Sequence, residues 1–312
     1  MPLGNLSCLS GVRTLRGVFI AMFDKIPATI DVQIAILKSR GLSIPDENRA
    51  KSFLLRNNYY RVSGYTLTLR HGDVFIENTS FQDIEDIYSF DLELRHMLLK
   101  YLEIIETTLK SVYAYEIAHI HGPIGYLDPN NFSDANEYST IMKKAEKQRN
   151  SRMAHAAYLE HLGKDWKDIS VWAFVDFLTI SDISFLYKIS ESQIKRTVAE
   201  HMNLRVQGDT LLEKFMHSMT IIRNLCAHGS RLYDCVFGQR PKLSKKEMAL
   251  LMKNADGTVD NARLYGFVII MKRLLAGDQF AMLKEQLAAL SAKYPCVNME
   301  YYGFRNDWKT QL

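Results

Sequence analysis

The stretch IEDIYSFDLELRHMLLKYLEIIETTLKSVYAYEIAH, residues 84–119, decides the fold. Apolar residues recur at Leu94, Leu98, Tyr101, Ile105, Leu109 and Val112, in steps of three and four. That spacing keeps one face of an α-helix apolar along its whole length. His121-Gly122-Pro123 ends it, because proline lacks a backbone donor and clashes with the preceding turn. A stripe this long needs other helices to cover it.

The neighbouring sequence supplies them. A loop through Asp128-Pro129-Asn130 leads to a second helical stretch over residues 136–162, rich in positive charge. Residues 172–189 read as two short helices punctuated at Ser181-Asp182, and residues 191–202 as another. Asp209 opens a helix through Leu212, Phe215, Met219, Ile222 and Cys226. Further helices are predicted over 245–253, 261–276 and 278–292, before a tail carrying Tyr301, Phe304 and Trp308. Toward the N-terminus, residues 30–41 form a helix closed by Gly41, and Asp46 caps the next. Residues 65–69 alternate, turn at His71-Gly72-Asp73 and resume at 74–76, the pattern of a β-hairpin. The expected fold is mainly α: a helical bundle over residues 81–312, preceded by a small N-terminal helix/β-hairpin piece over 22–80. Residues 1–21 read as a non-native or disordered extension, with Met22 as the expected start.

Composition removes several classes of function. Hydrophobic residues make up 47% and charged residues 24%, too apolar for a disordered chain. The formal charge is +4, so any basic surface is a local patch. The cysteines (Cys8, Cys226, Cys235, Cys296) form no C-x-x-C pair, and their wide spacing suits reduced thiols in a cytoplasm. No apolar run approaches the ~20 residues that span a bilayer. The run after Arg13 and Arg16 is short and lacks a small-residue cleavage site. There is no G-x-x-x-x-G-K-[ST] phosphate loop and no G-x-S-x-G elbow. His119 and His121 have no third ligand at a useful spacing, so neither a metal nor another cofactor is expected.

The chemistry lies in Arg223-Asn224-Leu225-Cys226-Ala227-His228, at the end of an apolar helix. Arginine offers a permanent charge on a planar fork that fits a phosphate. Histidine is the side chain suited to moving a proton near neutrality. Together they suggest RNA cleavage without a metal. The 2′-hydroxyl attacks the adjacent phosphate, His228 moves a proton, and Arg223 stabilises the transition-state charge. The products are a 2′,3′-cyclic phosphate and a 5′-hydroxyl, and DNA is inert. Five residues rotate about 500° on an ideal helix, leaving Arg223 and His228 roughly 140° apart unless the helix ends near Gly229. A two-fold dimer placing two copies around one cleft also relieves this. The ordinary reading is a helix end whose cations cap carbonyls and favour the dipole.

This motif, with Val171-Trp172 to Tyr187, Asn58-Tyr59-Tyr60-Arg61-Val62-Ser63-Gly64-Tyr65, Tyr88-Ser89-Phe90-Asp91-x-x-Leu94-Arg95 and Tyr302-Gly303-Phe304-x-x-x-Trp308, resembles the abortive-infection Abi family (AbiD/AbiF-like) of the HEPN superfamily. The resemblance runs over roughly residues 24–310. It implies a HEPN-like bundle and a bacterial defence or toxin-like RNase. Such an enzyme is often dimeric, and in some relatives a partner RNA restrains it. It implies Arg223, Asn224 and His228 as catalytic residues, with Arg231, Glu106 and Arg95 in support. Two positions depart from the pattern: Gly229 stands where many relatives have a second His, and Asp234 where they often have Asn.

Each supporting residue also has an ordinary role. Glu106 either orients Arg223 or pairs with Lys110 four residues on. Arg95 either touches phosphate or holds helices together. Lys143, Lys144, Lys147, Arg149 and Arg152 form the densest basic run, either an RNA-tracking surface or a solvated face. Tyr59, Tyr60, Arg61 and Tyr65 interleave aromatic and basic residues as single-strand binders do, with packing as the commoner fate. The expected protein is a cytoplasmic, homodimeric, metal-independent endoribonuclease with RNA as partner and neither DNA nor membrane. The alternative is a non-catalytic RNA-binding or partner-binding module of a defence or toxin–antitoxin system.

Overall fold

The computed structural model describes residues 27–153, 165–205 and 207–312. The expectations about residues 1–21 and Met22, and the end of the 136–162 helix, lie outside these. In chain order the helices are α1 (Ile30–Ser39), α2 (Glu47–Asn57), α3 (Tyr59–Ser63), α4 (Phe81–His121), α5 (Ala135–Met153), α6 (Val171–Phe174), α7 (Ile180–Ile189), α8 (Ser192–His201), α9 (Gly208–Ala227), α10 (Lys245–Met248), α11 (Leu264–Leu274), α12 (Gly277–Lys293) and α13 (Trp308–Gln311). Two antiparallel strands, β1 (Arg70–His71) and β2 (Val74–Phe75), pair with Arg70 opposite Phe75 and His71 opposite Val74. The fold is mainly α.

Helix α4 is the axis. At 1.5 Å per residue it is about 60 Å long. Ser80 and Asp83 start it with a reciprocal capping box, and Gly122, at φ +81°, ends it. The stripe through Leu94, Leu98, Tyr101, Ile105 and Leu109 is fully buried. Helices α6, α7, α8, α9, α11 and α12 pack against it. A second, smaller core joins Ile34, Leu37, Leu54, Val62 and Phe75 to Phe81 and Ile84 at the start of α4. Phe53 sits between the two cores, edge-on to Phe81 and Tyr88 at 5.8 and 5.3 Å.

Three local expectations need correction. Residues 65–69 are not a strand. Tyr65, Thr66 and Leu69 donate their N–H groups to Val62, Ser63 and Thr66, which makes a series of turns after α3. The hairpin keeps only its tip. The break between α6 and α7 falls at Leu178-Thr179, because Thr179 and Asp182 form a capping box that puts Asp182 inside the helix. The 245–253 helix is a single turn, α10, also opened by a capping box, between Ser244 and Glu247.

The cores and loops meet at one carboxylate. Asp91 and Arg95, four apart on α4, form an ion pair with no solvent access. Asp91 also accepts from Tyr65 Oη at 2.7 Å, Tyr302 Oη at 3.0 Å, and the backbone N–H groups of Leu232 and Tyr233 at 3.2 and 3.0 Å. Every partner can donate, which is the pattern of an ionised carboxylate. Burial pushes the Asp91 carboxyl up, and Arg95 and the other donors pull against that. The stretch after α3, the loop after α9 and the C-terminal segment are thereby joined to α4. Replacing Asp91 by Ala leaves Arg95 buried and unpaired, so a loss of about 3–5 kcal/mol is expected. Tyr302→Phe removes one hydrogen bond and is expected to cost about 1–2 kcal/mol. Urea unfolding of both variants reads the difference. Equal midpoints for Asp91→Ala and the parent would show that the carboxylate does not hold the fold.

Candidate active site

Helix α9 ends at the motif. Ala227 is its last residue and His228 is the cap, at φ −88° and ψ 7°. Gly229 follows at φ +65°. Its N–H donates to Cys226 O at 3.1 Å, and Ser230 N–H to Leu225 O at 2.8 Å. These are the two bonds of a Schellman termination, which calls for a left-handed residue at this position. His228 keeps the helical backbone bond, its N–H donating to Asn224 O at 2.9 Å, so the chain leaves the helical path only at Gly229 and His228 still lies roughly 140° round α9 from Arg223.

Arg223 lies on α9 facing α4. Its Nε is 3.9 Å from Glu106 Oε2, and its Nη1 donates to Asn224 Oδ1 at 3.3 Å. Glu106 also holds Lys110 at 2.9 Å. Glu106 thus pairs with its own-helix lysine and also lies within ion-pair distance of Arg223. The Arg223 side chain is 37% exposed. His228 is exposed, and its ring has no hydrogen-bond partner among the described residues.

The chain beyond His228 is held firmly. Arg61 donates through Nη2 to Gly229 O and through Nε to Tyr88 Oη at 3.2 Å. Arg95 reaches Ser230 O at 3.4 Å. Arg231 donates to Gly64 O, and its guanidinium sits 6.0 Å from the Tyr65 ring centre. Asp91 fixes Leu232 and Tyr233 as described. Arg95, fully buried, holds helix and loop together, and Arg231 is turned toward the turns after α3. What stays open is the motif itself: Arg223, Asn224 and His228.

Both departures from the family pattern have a backbone setting. A Cβ at Gly229 would meet Arg61 Nη2 at 3.3 Å, in a φ region that side chains resist. Asp234 is also left-handed, at φ +47°, where Asn and Asp are the best tolerated side-chain residues. Its carboxylate pairs with Arg263 at 2.9 Å. Cys226 lies within the motif but is buried, and burial pushes its thiol up to about 12. It is not a thiolate nucleophile for His228.

The basic run on α5 is divided. Lys143 and Lys147 are exposed, with no ion pair among the described residues. Lys144 pairs with Asp182 at 3.1 Å. Arg149 is buried, bonded to Glu146 at 2.8 Å and stacked 4.4 Å over Trp166. Arg152 donates to Asp176 O. No hydrogen bond or ion pair among the described residues joins this run to residues 223–228. Tyr65 is buried in the Asp91 cluster, and Tyr60 is 87% exposed. Among the described residues no group of three or more His, Cys, Asp and Glu is placed to hold a metal ion, and no helix is long and apolar enough to cross a membrane.

Sequence reading missed two contributors. Asp91 carried a signal, since it and Arg95 are charges four apart inside an apolar stripe. Arg61 stood out only as part of an aromatic and basic cluster, and nothing local pointed to its partner, since its bond to Gly229 spans 168 residues. Gly229→Ala is expected to lower stability by about 1–2 kcal/mol through left-handed strain, read as a shift in the urea midpoint. An unchanged midpoint would mean that the turn tolerates a side chain.

A family model described as Abi-like protein matches residues 52–234. That range runs from within α2 to Asp234. It takes in Tyr65, Asp91, Arg95, Glu106 and the whole of α9, and it leaves out Tyr302 and the C-terminal helices. It is narrower than the resemblance over 24–310. No curated protein and no solved structure matches the chain. The matched segment is more than half of the 312 residues and contains Arg223, Asn224 and His228, and on that ground the chain belongs to the Abi-like family, whose name ties it to abortive infection.

Proposed function

We propose that this chain is a metal-independent endoribonuclease of the HEPN type, acting in the cytoplasm as a homodimer in an abortive-infection system. One observation carries the reading. At the last turn of α9 an exposed imidazole, His228, follows a part-exposed arginine, Arg223, that lies within ion-pair distance of Glu106. Everything around the pair is anchored, so these two side chains can meet a phosphate with little loss of order.

In the reaction the O2′–P bond forms and the P–O5′ bond breaks. His228 takes the 2′-hydroxyl proton. Arg223 pairs with the charge that grows on the phosphoryl oxygens. The 5′-oxygen leaves with a proton from His228 of the partner subunit in the proposed dimer. Glu106 keeps Arg223 extended, and Asn224 accepts one of its N–H groups. An imidazole packed against backbone would favour a binding module, and His228 is exposed instead.

The test is cleavage of labelled cellular RNA in EDTA, with a matched DNA alongside. His228→Ala is expected to slow cutting by about 10²–10⁴-fold. Arg223→Ala is expected to slow it by about 10²–10³-fold. The parent should leave cyclic-phosphate ends and spare the DNA. RNA that binds but is never cut would favour the binding module, and equal cutting by all three proteins would place the site elsewhere. Sedimentation at micromolar concentration checks the homodimer: a dimer is expected, and a monomer that still cuts RNA would show that one chain suffices.

A further inference from the structure

A groove of about 510 Å³ runs along α4 away from the motif. Its floor is the stripe of Thr107, Ser111, Ala114 and Ala118, three or four apart and small enough to leave a channel. Two aromatic rings stand over it and are unusually open for their size. Trp172 of α6 is 61% exposed and Tyr115 of α4 is 57% exposed. The other two tryptophans are partly or fully covered.

The charge along the groove is ordered. Lys110 lines the end nearest the motif; its side chain is 14% exposed, and its ammonium pairs with Glu106, whose other oxygen faces Arg223. The groove thus begins one ion pair away from the proposed catalytic arginine. Next to the groove, Arg152 donates to the backbone oxygen of the lining residue Asp176. His119 closes the far end, its ring 4.0 Å from that of Tyr115. Asp176 is the one carboxylate among the lining residues. From Thr107 to His119 the floor is about 18 Å long, room for a few nucleotides in extended form.

We infer that this groove binds the single-stranded RNA flanking the cleavage point, with Trp172 and Tyr115 as base-stacking platforms and Lys110 and Arg152 as the nearest cations to its phosphates. Exposed rings interleaved with cations recognise single strands, because every base has a face to stack. A duplex keeps its bases stacked internally and cannot use them. The inference rests on the RNase reading for the location of the cleavage point, and gives its substrate class as unpaired RNA. It also moves the RNA surface from the α5 run to α4 and α6, with Arg152 the one residue common to both.

The experiment uses a fluorescein-labelled, unstructured 12-nucleotide RNA with 2′-O-methyl groups, which cannot be cut by 2′-oxygen attack, so binding is read apart from catalysis. Parent, Trp172→Ala, Tyr115→Ala and the double variant are compared by anisotropy at low salt. Both rings are more than half exposed, so the variants are expected to fold, and their thermal midpoints check this. Each single change should weaken binding about tenfold, with a larger loss in the double variant. Parent tryptophan fluorescence should be quenched by the oligonucleotide, and the Trp172→Ala signal should not be. The same sequence as a duplex should bind more weakly than the single strand. Unchanged affinity in the double variant overturns the groove, even if His228→Ala abolishes cleavage and the RNase stands. Ring-dependent binding with no cleavage by any protein upholds the groove and removes the RNase. Intact RNA binding with a shift from dimer to monomer in the double variant would assign this face to chain–chain contact, and so overturn the proposal.

Discussion

The Asp91 carboxylate has no contact with water, and separate stretches of the chain direct their donors at it. A buried charge is tolerated only when it is paired and its lone pairs are filled. Here that requirement determines where the turns after α3, the loop after α9 and the C-terminal segment can lie. The tyrosine rings follow the same geometry. Tyr65, Tyr233 and Tyr302 bring hydroxyl or backbone groups to the cluster and pack their rings against one another. The pairing costs desolvation, and an apolar core of the same volume is often as stable. What the ion pair adds is direction: the loop that follows His228 has one place to bond.

Order and openness are divided across the site. Residues 229–233 are bonded at nearly every position, through Arg61, Arg95, Arg231 and Asp91. Arg223 and His228 are the side chains left to solvent. Glu106 tempers Arg223 without neutralising it, since the same carboxylate is drawn toward Lys110. A phosphate arriving at Arg223 competes with one half-shared carboxylate at 3.9 Å rather than with a tight bidentate pair.

Much of this was legible in the sequence where the cause was local. The long helix was, because six apolar residues at helical spacing have one physical meaning. So were the caps at Asp46 and Gly41 and the end of α9 near Gly229. Readings failed where a local pattern had two meanings. Alternation over residues 65–69 suits a strand, but five residues are too few to exclude a run of turns that delivers Tyr65 to Asp91. The helix break was placed at Ser181-Asp182, while the capping box moves it to Thr179. The α5 cations looked alike in sequence, and their partners Asp182, Asp176 and Trp166 lie well downstream. The roles of Asp91 and Arg61 depend on residues more than a hundred positions away, which no window of sequence contains.

Those separations also order events in time. Beyond Arg95 on the same helix, the donors to Asp91 lie 26, 141, 142 and 211 residues from it along the chain. Contacts of such long range form late, because loop closure has to be offset before they reward the chain. During synthesis α4 emerges well before α9, and the hydroxyl of Tyr302 emerges after both. Until then the carboxylate lacks its last donor, and the loop behind His228 is incompletely held. An activity directed at RNA would thus be assembled only after the ribosome has delivered Tyr302, which separates making α4 and α9 from exposing the messenger that encodes them.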